Sequence, residues 1–222
     1  MVESVERGRT VGDSSQKRWR GQTLQDRSLK RRDQLLDVGE RLLGTSGAGA
    51  VTMRAVVREA GLSPRYFYET FSGRDDFLVS IYDRVESRVL ERVAAIETGG
   101  DFRASVHAVC RACGEFFEED PRRARILLRE PLSDDVLREH SAKRSRLFVE
   151  TTMGLLGVDD ELVPTPGRLP IIATGLSGAL VALYLDFADG RLAVDRDELA
   201  DAAVEIVCAL AESAGLRGAA PE

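Results

Sequence analysis

The sequence predicts an all-α fold. Apolar residues make up 43% of the 222 residues, and along most of the chain they recur at the three- and four-residue spacing of helices. No segment shows the apolar–polar alternation of a half-buried strand. The apolar stretches break at or near prolines and glycines: Pro121, Pro131, Pro164, Pro166 and Gly190. We therefore expect about nine helices, roughly the number that these breaks delimit.

The N-terminal region predicts a basic arm followed by a helix. Residues 1–28 are polar without a sustained period, so we expect a flexible arm. Within it, Gln16–Gly21 interleaves three basic residues with Trp19, a pattern typical of either a solvated charge run or an arm that follows a nucleic acid backbone. The first predicted helix, 30–44, has an apolar stripe: Leu35, Leu36, Val38, Leu42 and Leu43.

The segment from Thr52 to Phe71 predicts two short helices joined by a tight turn. Thr52 is suited to cap a helix over 53–60, and Gly61 is placed to turn the chain. Ser63 is placed to cap the second helix, with Pro64 at its first position, where a missing N–H costs little. A small core can form from Val56, Val57, Ala60, Leu62, Phe67 and Phe71. This arrangement predicts a helix-turn-helix.

The second of these helices carries three aromatic rings in a row, Tyr66, Phe67 and Tyr68. No single helix face buries three consecutive rings, so at least one tyrosine should face outward. In a helix-turn-helix that binds DNA, this helix enters the major groove. Arg65 can donate two hydrogen bonds to a guanine edge, and Tyr66 and Thr70 can contact a base.

The charge distribution supports contact with a polyanion at the N-terminal end only. Residues 1–74 hold 14 Lys and Arg against 9 Asp and Glu, whereas the rest of the chain holds 17 against 28. A basic head on an acidic body indicates that the head meets the nucleic acid.

The remainder of the chain predicts further helices. Ser72–Asp75 matches an S-x-x-D capping pattern and should open a long helix through about Ile96. The others are expected at about 102–118, 122–129, 133–156, 168–188 and 195–214.

Residues from about Lys30 to Asp83 resemble the DNA-binding domain of the TetR (tetracycline repressor) family of bacterial transcription regulators. The landmarks are Thr52, the run Ala60–Ser63, the Phe67–Tyr68 pair, Phe71 and the basic Arg74. The resemblance implies a homodimer, in most cases a repressor, that binds a palindromic operator in double-stranded DNA. It also implies that a small-molecule effector binds a divergent C-terminal domain.

The composition of residues 1–28 marks them as a flexible basic arm, which is long for the family. The resemblance divides the rest of the chain into a helix-turn-helix domain (29–75) and a ligand-binding and dimerisation domain (76–222). It places Tyr68 and Arg74 at phosphate-contacting positions and Arg65 and Tyr66 at base-reading positions, where the family commonly has small residues. The full set of expected DNA contacts is Thr52, Arg54, Ser63, Pro64, Arg65, Tyr66, Tyr68, Glu69, Thr70 and Arg74.

Residues 102–117 combine His107, Cys110 and Cys113 on one predicted helix. Positions three apart on a helix differ by about 60°, so three ligands do not converge on one metal ion. We expect no metal site, and the thiols are interpreted as buried small hydrophobes, with a redox switch through Cys110 and Cys113 as the alternative. Candidate effector-pocket residues, each also explained as plain core, are His107, Cys110, Phe117, Leu127 and Phe148.

The most apolar stretch, Leu169–Gly190, has small residues at four-residue spacing that permit close approach of another helix. The resemblance makes it part of a dimer interface, with an intramolecular core helix as the alternative. The expected interface residues are Gly175, Gly178, Ala179, Ala182, Leu183 and Phe187.

The sequence argues against several other classes of protein. It has no G-x-S-x-G, H-E-x-x-H or Gly-rich phosphate loop and only two histidines, so we expect neither an enzyme nor a cofactor. There is no uninterrupted run of 18 apolar residues, so we expect no membrane partner. Three cysteines favour a reducing, cytoplasmic location over a disulfide framework.

Overall fold

The computed structural model describes residues 14–97, 101–144 and 169–213, with side-chain surroundings from residue 26 in the first range and residue 171 in the third. These ranges contain nine α-helices, three short 3-10 or π-helical turns and no strand, which confirms the all-α prediction. The helices are α1 (Ser14–Ser46), α2 (Met53–Ala60), α3 (Pro64–Tyr68), α4 (Arg74–Ala94), α5 (Phe102–Glu119), α6 (Pro121–Ala124), α7 (135–144), α8 (Leu169–Ala188) and α9 (Arg196–Ser213).

Helix α1 begins at Ser14, well before the predicted start at residue 30. Residues 14–28 are therefore helical where a loose arm was expected, because the segment is rich in good helix formers such as Gln, Lys, Arg and Leu. The rest of the expected arm, residues 1–13, lies outside the described part of the chain. Its flexibility stays a prediction.

Helix α1 lies close against α4 because Gly39 has no side chain. A Cβ atom on Gly39 would lie 2.6 Å from both Ile81 Cδ1 and Phe77 Cζ, which is too short for any real contact. Phe77 and Ile81 are both fully buried on α4. Any larger residue at position 39 would therefore push α1 and α4 apart.

One continuous apolar cluster connects the two ends of the chain. It begins at Leu35 on α1, includes Phe77 on α4 and Phe117 on α5, and ends at Leu199 on α9. The expected boundary at residues 75/76 coincides with the start of α4, which contacts both α1 and α5. Because the core is shared, a movement in the C-terminal helices can reach the helix-turn-helix through packed side chains.

A charged network fixes α7 on α4. Arg144 donates to the buried Glu86 carboxylate, and His140 Nε2 lies 2.6 Å from Asp83 Oδ1. Burial raises the pKa of Glu86, and the Arg144 guanidinium opposes that shift. Tyr82 packs edge-on against the His140 ring. Because the Glu86 charge has a partner, α7 can lie over this polar part of α4.

Candidate nucleic-acid interface

The helix-turn-helix forms where the sequence predicts it. The Thr52 side chain accepts a hydrogen bond from the Ala55 backbone N–H at 3.2 Å and caps α2. Gly61 ends α2 with φ 63° and ψ 28°, a left-handed conformation that glycine adopts without strain. The predicted small core is confirmed: five of its six residues are buried and Leu62 packs against them.

Two predicted caps are wrong. Ser63 precedes α3 and Pro64 is at the first helical position, but the Ser63 side chain makes no capping bond. Ser72 does not cap α4 either, since Gly73 occupies that position. Instead, the backbone N–H and the hydroxyl of Ser72 both donate to the Asp76 carboxylate, at 2.8 and 3.1 Å. The predicted S-x-x-D pair was Ser72 and Asp75, whereas the observed partner of Ser72 is Asp76. The helix also starts one residue later than the pattern predicts, with Gly73 at the capping position.

The three consecutive rings point in three different directions. Phe67 is buried and packs against Phe71 and Phe77, with ring centroids 5.5 and 5.1 Å away. Tyr68 faces outward with 61% of its surface exposed. Tyr66 is half-buried beneath Arg31 of α1, whose guanidinium carbon lies 4.3 Å from the ring centroid. The middle ring therefore anchors α3, while the two tyrosines form part of the outer surface.

Arg65 is the single basic residue of α3, and 83% of its side chain is exposed. Its Nε donates to Oε1 of Glu69 at 2.7 Å, and the Glu69 backbone N–H bonds back to the Arg65 carbonyl at 2.9 Å. The carboxylate raises the pKa of Arg65, so the guanidinium remains charged. The outward face of α3 thus presents one oriented cation beside two tyrosines.

The other expected DNA contacts near the turn are exposed, except that Thr70 is half-buried. Thr52, Arg54, Ser63 and Pro64 are exposed. Thr70 is half-buried, and its hydroxyl donates to the Tyr66 carbonyl at 3.0 Å. That bond uses the only donor of Thr70, so its methyl group and oxygen lone pairs are what it can offer to DNA.

Arg74 does not have the geometry of a phosphate contact. Its Nε donates to the Val51 carbonyl at 3.1 Å and its Nη2 to the Ala48 carbonyl at 2.7 Å. Asp134 lies 3.5 Å from the same Nη2. The side chain therefore holds the α1–α2 connection, whose turn leaves carbonyl oxygens available, and we leave Arg74 out of the proposed DNA contacts.

Glu130 is a structural residue that the sequence did not reveal. Its side chain is buried, with 4% of the residue exposed, and accepts from the Ala48 backbone N–H at 2.8 Å and from Arg125 Nε at 2.9 Å. Arg125 in turn donates to the Thr45 carbonyl at 3.1 Å. Residues Arg125–Arg129 are π-helical, which brings positions 125 and 130 together. We call Arg74, Arg125, Glu130 and Asp134 the clamp, because they hold the connection Thr45–Val51.

The expected effector-pocket residues lie in different surroundings, and their role in binding an effector stays a prediction. Cys110, Phe117 and Leu127 are packed in the apolar core, and His107 lies near the surface, 3.4 Å from Asp201. Phe148 lies outside the described residues. A cavity of about 440 Å³ is found elsewhere, between α1 and α4, lined by Arg32, Ser80, Asp83, Arg84, Ser87, Arg88 and Glu91.

The two thiols on α5, Cys110 and Cys113, are buried and unfavourably placed for reaction as thiolates. Burial raises the pKa of Cys110 to about 11 and that of Cys113 to about 12. Both are therefore protonated near neutral pH, whereas a reactive cysteine needs its thiolate. Across the described residues, no group of three His, Cys, Asp or Glu side chains is arranged to hold a metal ion.

Helix α8 has one face that is exposed with respect to the described residues. Gly175, Gly178 and Ala182 lie on it, and a Cβ atom on either glycine would meet no atom of residues 14–97, 101–144 or 169–213 within 4 Å. Leu183 and Phe187, which were expected on the same face, instead pack against the core, and Ala179 lies at the edge. We call the exposed residues Ile171, Gly175, Gly178 and Ala182 the small-residue face.

By length and composition, the Ile171–Ala188 part of α8 meets the criteria for a membrane span, although only 11% of it is buried within the protein. The uninterrupted apolar run used as the sequence criterion did not find this segment. One such helix is weak evidence for a membrane span, because mostly buried core helices of soluble proteins meet the same criteria.

The described geometry defines a class of protein. Two short helices cross at a capped turn, the second presents polar and aromatic side chains outward, and a larger helical domain follows. This is a helix-turn-helix DNA-binding transcriptional regulator.

Residues 35–81 match the family of bacterial regulatory proteins described as the tetR family. The fold is similar to a TetR-like transcriptional regulator from Rhodococcus sp. RHA1, at 22% identity and a TM-score of 0.62, covering 83% of this chain and 96% of that one. It is also similar to a tetR-family regulator from Streptomyces coelicolor, at 19% identity, TM-score 0.63 and 83% of each chain. A third similar structure is FadR from Bacillus subtilis in complex with stearoyl-CoA, at 14% identity, TM-score 0.63, and 78% and 96% coverage.

The helix-turn-helix, over residues 35–81, is therefore similar to the DNA-binding domain of the tetR family of bacterial regulatory proteins. The similarity to the solved structures shows that the larger helical domain shares their fold.

Proposed function

We propose that this protein is a homodimeric repressor that binds a palindromic operator and is released by a small-molecule effector. The carrying observation is the outward surface of α3, where Arg65, Tyr66 and Tyr68 are presented by a helix anchored through Phe67. The small-residue face of α8, which no other described helix covers, supports the dimer. Two recognition helices separated by about one DNA turn would read two half-sites.

On this proposal Arg65 reads a base, and its loss should relax the sequence preference. A bidentate arginine–guanine contact contributes about 1–3 kcal/mol of discrimination. We therefore expect Arg65→Ala to lower the ratio of operator to random-DNA affinity by about tenfold or more, measured by titration of labelled duplexes at fixed salt. Arg58→Ala removes an exposed arginine of α2 and is the matched control. An unchanged ratio for Arg65→Ala would contradict the base-reading role.

The basic N-terminal part of α1 should add affinity more than specificity. Seven basic residues lie in α1 before the buried Leu35: Lys17, Arg18, Arg20, Arg27, Lys30, Arg31 and Arg32. We expect deletion of residues 1–28 to make binding less dependent on salt, since each phosphate contact contributes about 0.9 to the logarithmic slope. Equal slopes for the truncated and full-length chains would show that the segment does not contact DNA.

The clamp offers a route by which an effector can act on DNA binding. It joins the segment Arg125–Leu132 directly to the connection that precedes α2. An effector that binds better when this segment is displaced shifts the population toward a state with low operator affinity. Fluorescence of a probe on α3, recorded with and without candidate small molecules, tests whether ligand and operator compete.

The redox alternative, through Cys110 and Cys113, has weaker support. Both thiols are buried and protonated, and an oxidant would first need access to the core. Operator binding that is unchanged by peroxide and by a thiol reductant is the expected result.

A further inference from the structure

The pairing of Arg65 with Glu69 is unusual for a surface that meets DNA. A carboxylate beside the phosphate backbone is repelled, so Glu69 lowers the affinity for every duplex alike. The pair is nevertheless well formed, with Nε to Oε1 at 2.7 Å on residues that are 83% and 44% exposed. A contribution other than general affinity is needed to account for a carboxylate at this position.

The geometry of the pair leaves one edge of the guanidinium available. Nε is engaged by Glu69, whereas no hydrogen bond within the described residues involves Nη1 or Nη2. Those two nitrogens form the edge that donates in parallel to O6 and N7 of guanine. An unrestrained arginine on the same surface can turn to a phosphate instead, and that contact carries no sequence information.

Glu69 is itself held in place. Its backbone N–H bonds to the Arg65 carbonyl, and it follows directly on α3, which Phe67 anchors in the core. The neighbouring Tyr66 is covered by Arg31 and does not compete for the Arg65 guanidinium. The Glu69 backbone is thus fixed with respect to the helix, and the Nε–Oε1 hydrogen bond joins its carboxylate to Arg65.

We propose that Glu69 is a specificity-determining positioning residue, which orients Arg65 so that Nη1 and Nη2 read one G·C pair in each half-site. The inference rests on the proposed base-reading function of Arg65. Glu69 repels the DNA backbone and so lowers the affinity for every duplex. It also restricts Arg65 to a single hydrogen-bonding geometry, so that binding to sites without the G·C pair is disfavoured.

The test uses the full-length protein and a random duplex library, from which the preferred site is selected and then varied one base pair at a time. Arg65→Ala should remove the preference at one G·C pair per half-site. Glu69→Ala should reduce the preference at that same pair by about tenfold and raise the affinity for random DNA. Glu69→Gln, which keeps an acceptor oxygen, should retain more of the preference than Glu69→Ala.

The control is Glu139→Ala, which breaks the exposed pair with Lys143 at the same four-residue spacing but on α7. It should leave base preferences and affinity unchanged, and circular dichroism should show that all variants are folded. If Glu69→Ala strengthens binding to all duplexes without altering any preference, Glu69 only repels DNA and the proposal is overturned. The proposal also fails if Glu69→Ala alters a different base pair from Arg65→Ala, or if the glutamine and alanine variants are equal.

The outcomes separate this inference from the function on which it rests. If Arg65→Ala leaves every base preference unchanged, the base-reading role of Arg65 is wrong, and the positioning role of Glu69 is overturned with it. If Arg65→Ala alters one pair and Glu69→Ala does not, only the positioning role is overturned.

Discussion

Gly178→Arg is expected to convert the protein to a monomer and to abolish tight operator binding. Gly178 lies on the small-residue face, where a closely approaching partner helix would leave no room for a long charged side chain. No atom of the other described residues lies within 4 Å of a Cβ at this position, so we expect the substituted protomer to fold normally. Losing the second half-site removes the gain from simultaneous binding, which is about 10²- to 10⁴-fold.

The experiment compares mass by light scattering, helicity by circular dichroism and operator affinity by titration. Ala104→Arg is the matched control, because it places the same side chain at an exposed position of α5. If the Gly178→Arg protein is dimeric and binds operator normally, the small-residue face is not the dimer interface. Because α8 is apolar enough to cross a membrane, co-sedimentation of the wild-type protein with lipid vesicles should also be measured. A membrane-associated α8 would bring the protein down with the vesicles, whereas the dimer proposal predicts that it stays in solution.

Glu130→Ala is expected to lower the free energy of unfolding by about 2–4 kcal/mol. The substitution leaves the buried Ala48 N–H without its acceptor and Arg125 without its buried partner. Arg125 is one-third exposed and can turn to water, so the cost should be below that of a fully buried pair. Urea denaturation followed by circular dichroism measures the change.

Glu139→Ala again provides the comparison, because an ion pair exposed on both sides contributes little to stability. Glu130→Gln should fall between the two, since its amide oxygen can still accept from Ala48. If Glu130→Ala unfolds at the same urea concentration as wild type, the clamp contributes nothing to stability and cannot serve as a coupling element.

The local structure of the helix-turn-helix was predictable because each of its signals acts over a few residues. Thr52 caps the helix that follows it, Gly61 turns the chain, and the Phe67–Phe71 spacing places both rings on one face. These effects depend on backbone geometry alone. The recognition surface followed, because burying Phe67 turns Tyr68 outward.

The clamp could not be predicted because its contacts join residues far apart in sequence. Glu130 bonds to Ala48, and Arg74 to Val51, through a packing arrangement that no local pattern encodes. Residues five apart, such as Arg125 and Glu130, do not face each other on an α-helix, and the π-helical turn that brings them together has no clear sequence signal. The contact of Arg31 with the Tyr66 ring was not predicted for the same reason, since it depends on how α1 crosses α3.

The length of α1 gives it a mechanical role as a lever. Its 33 residues span about 50 Å at 1.5 Å per residue. The end at Ser46 contacts α6 and the π-helical turn, whereas the other end, at Ser14, extends beyond the recognition helix. A tilt of about 10° around Ser46 would displace Ser14 by about 9 Å, more than two base-pair steps of 3.4 Å. Because α1 is packed on α4 at Gly39, such a rotation at the clamp would have to move α1 and α4 together, and it would then be amplified into a displacement on the scale of the DNA groove.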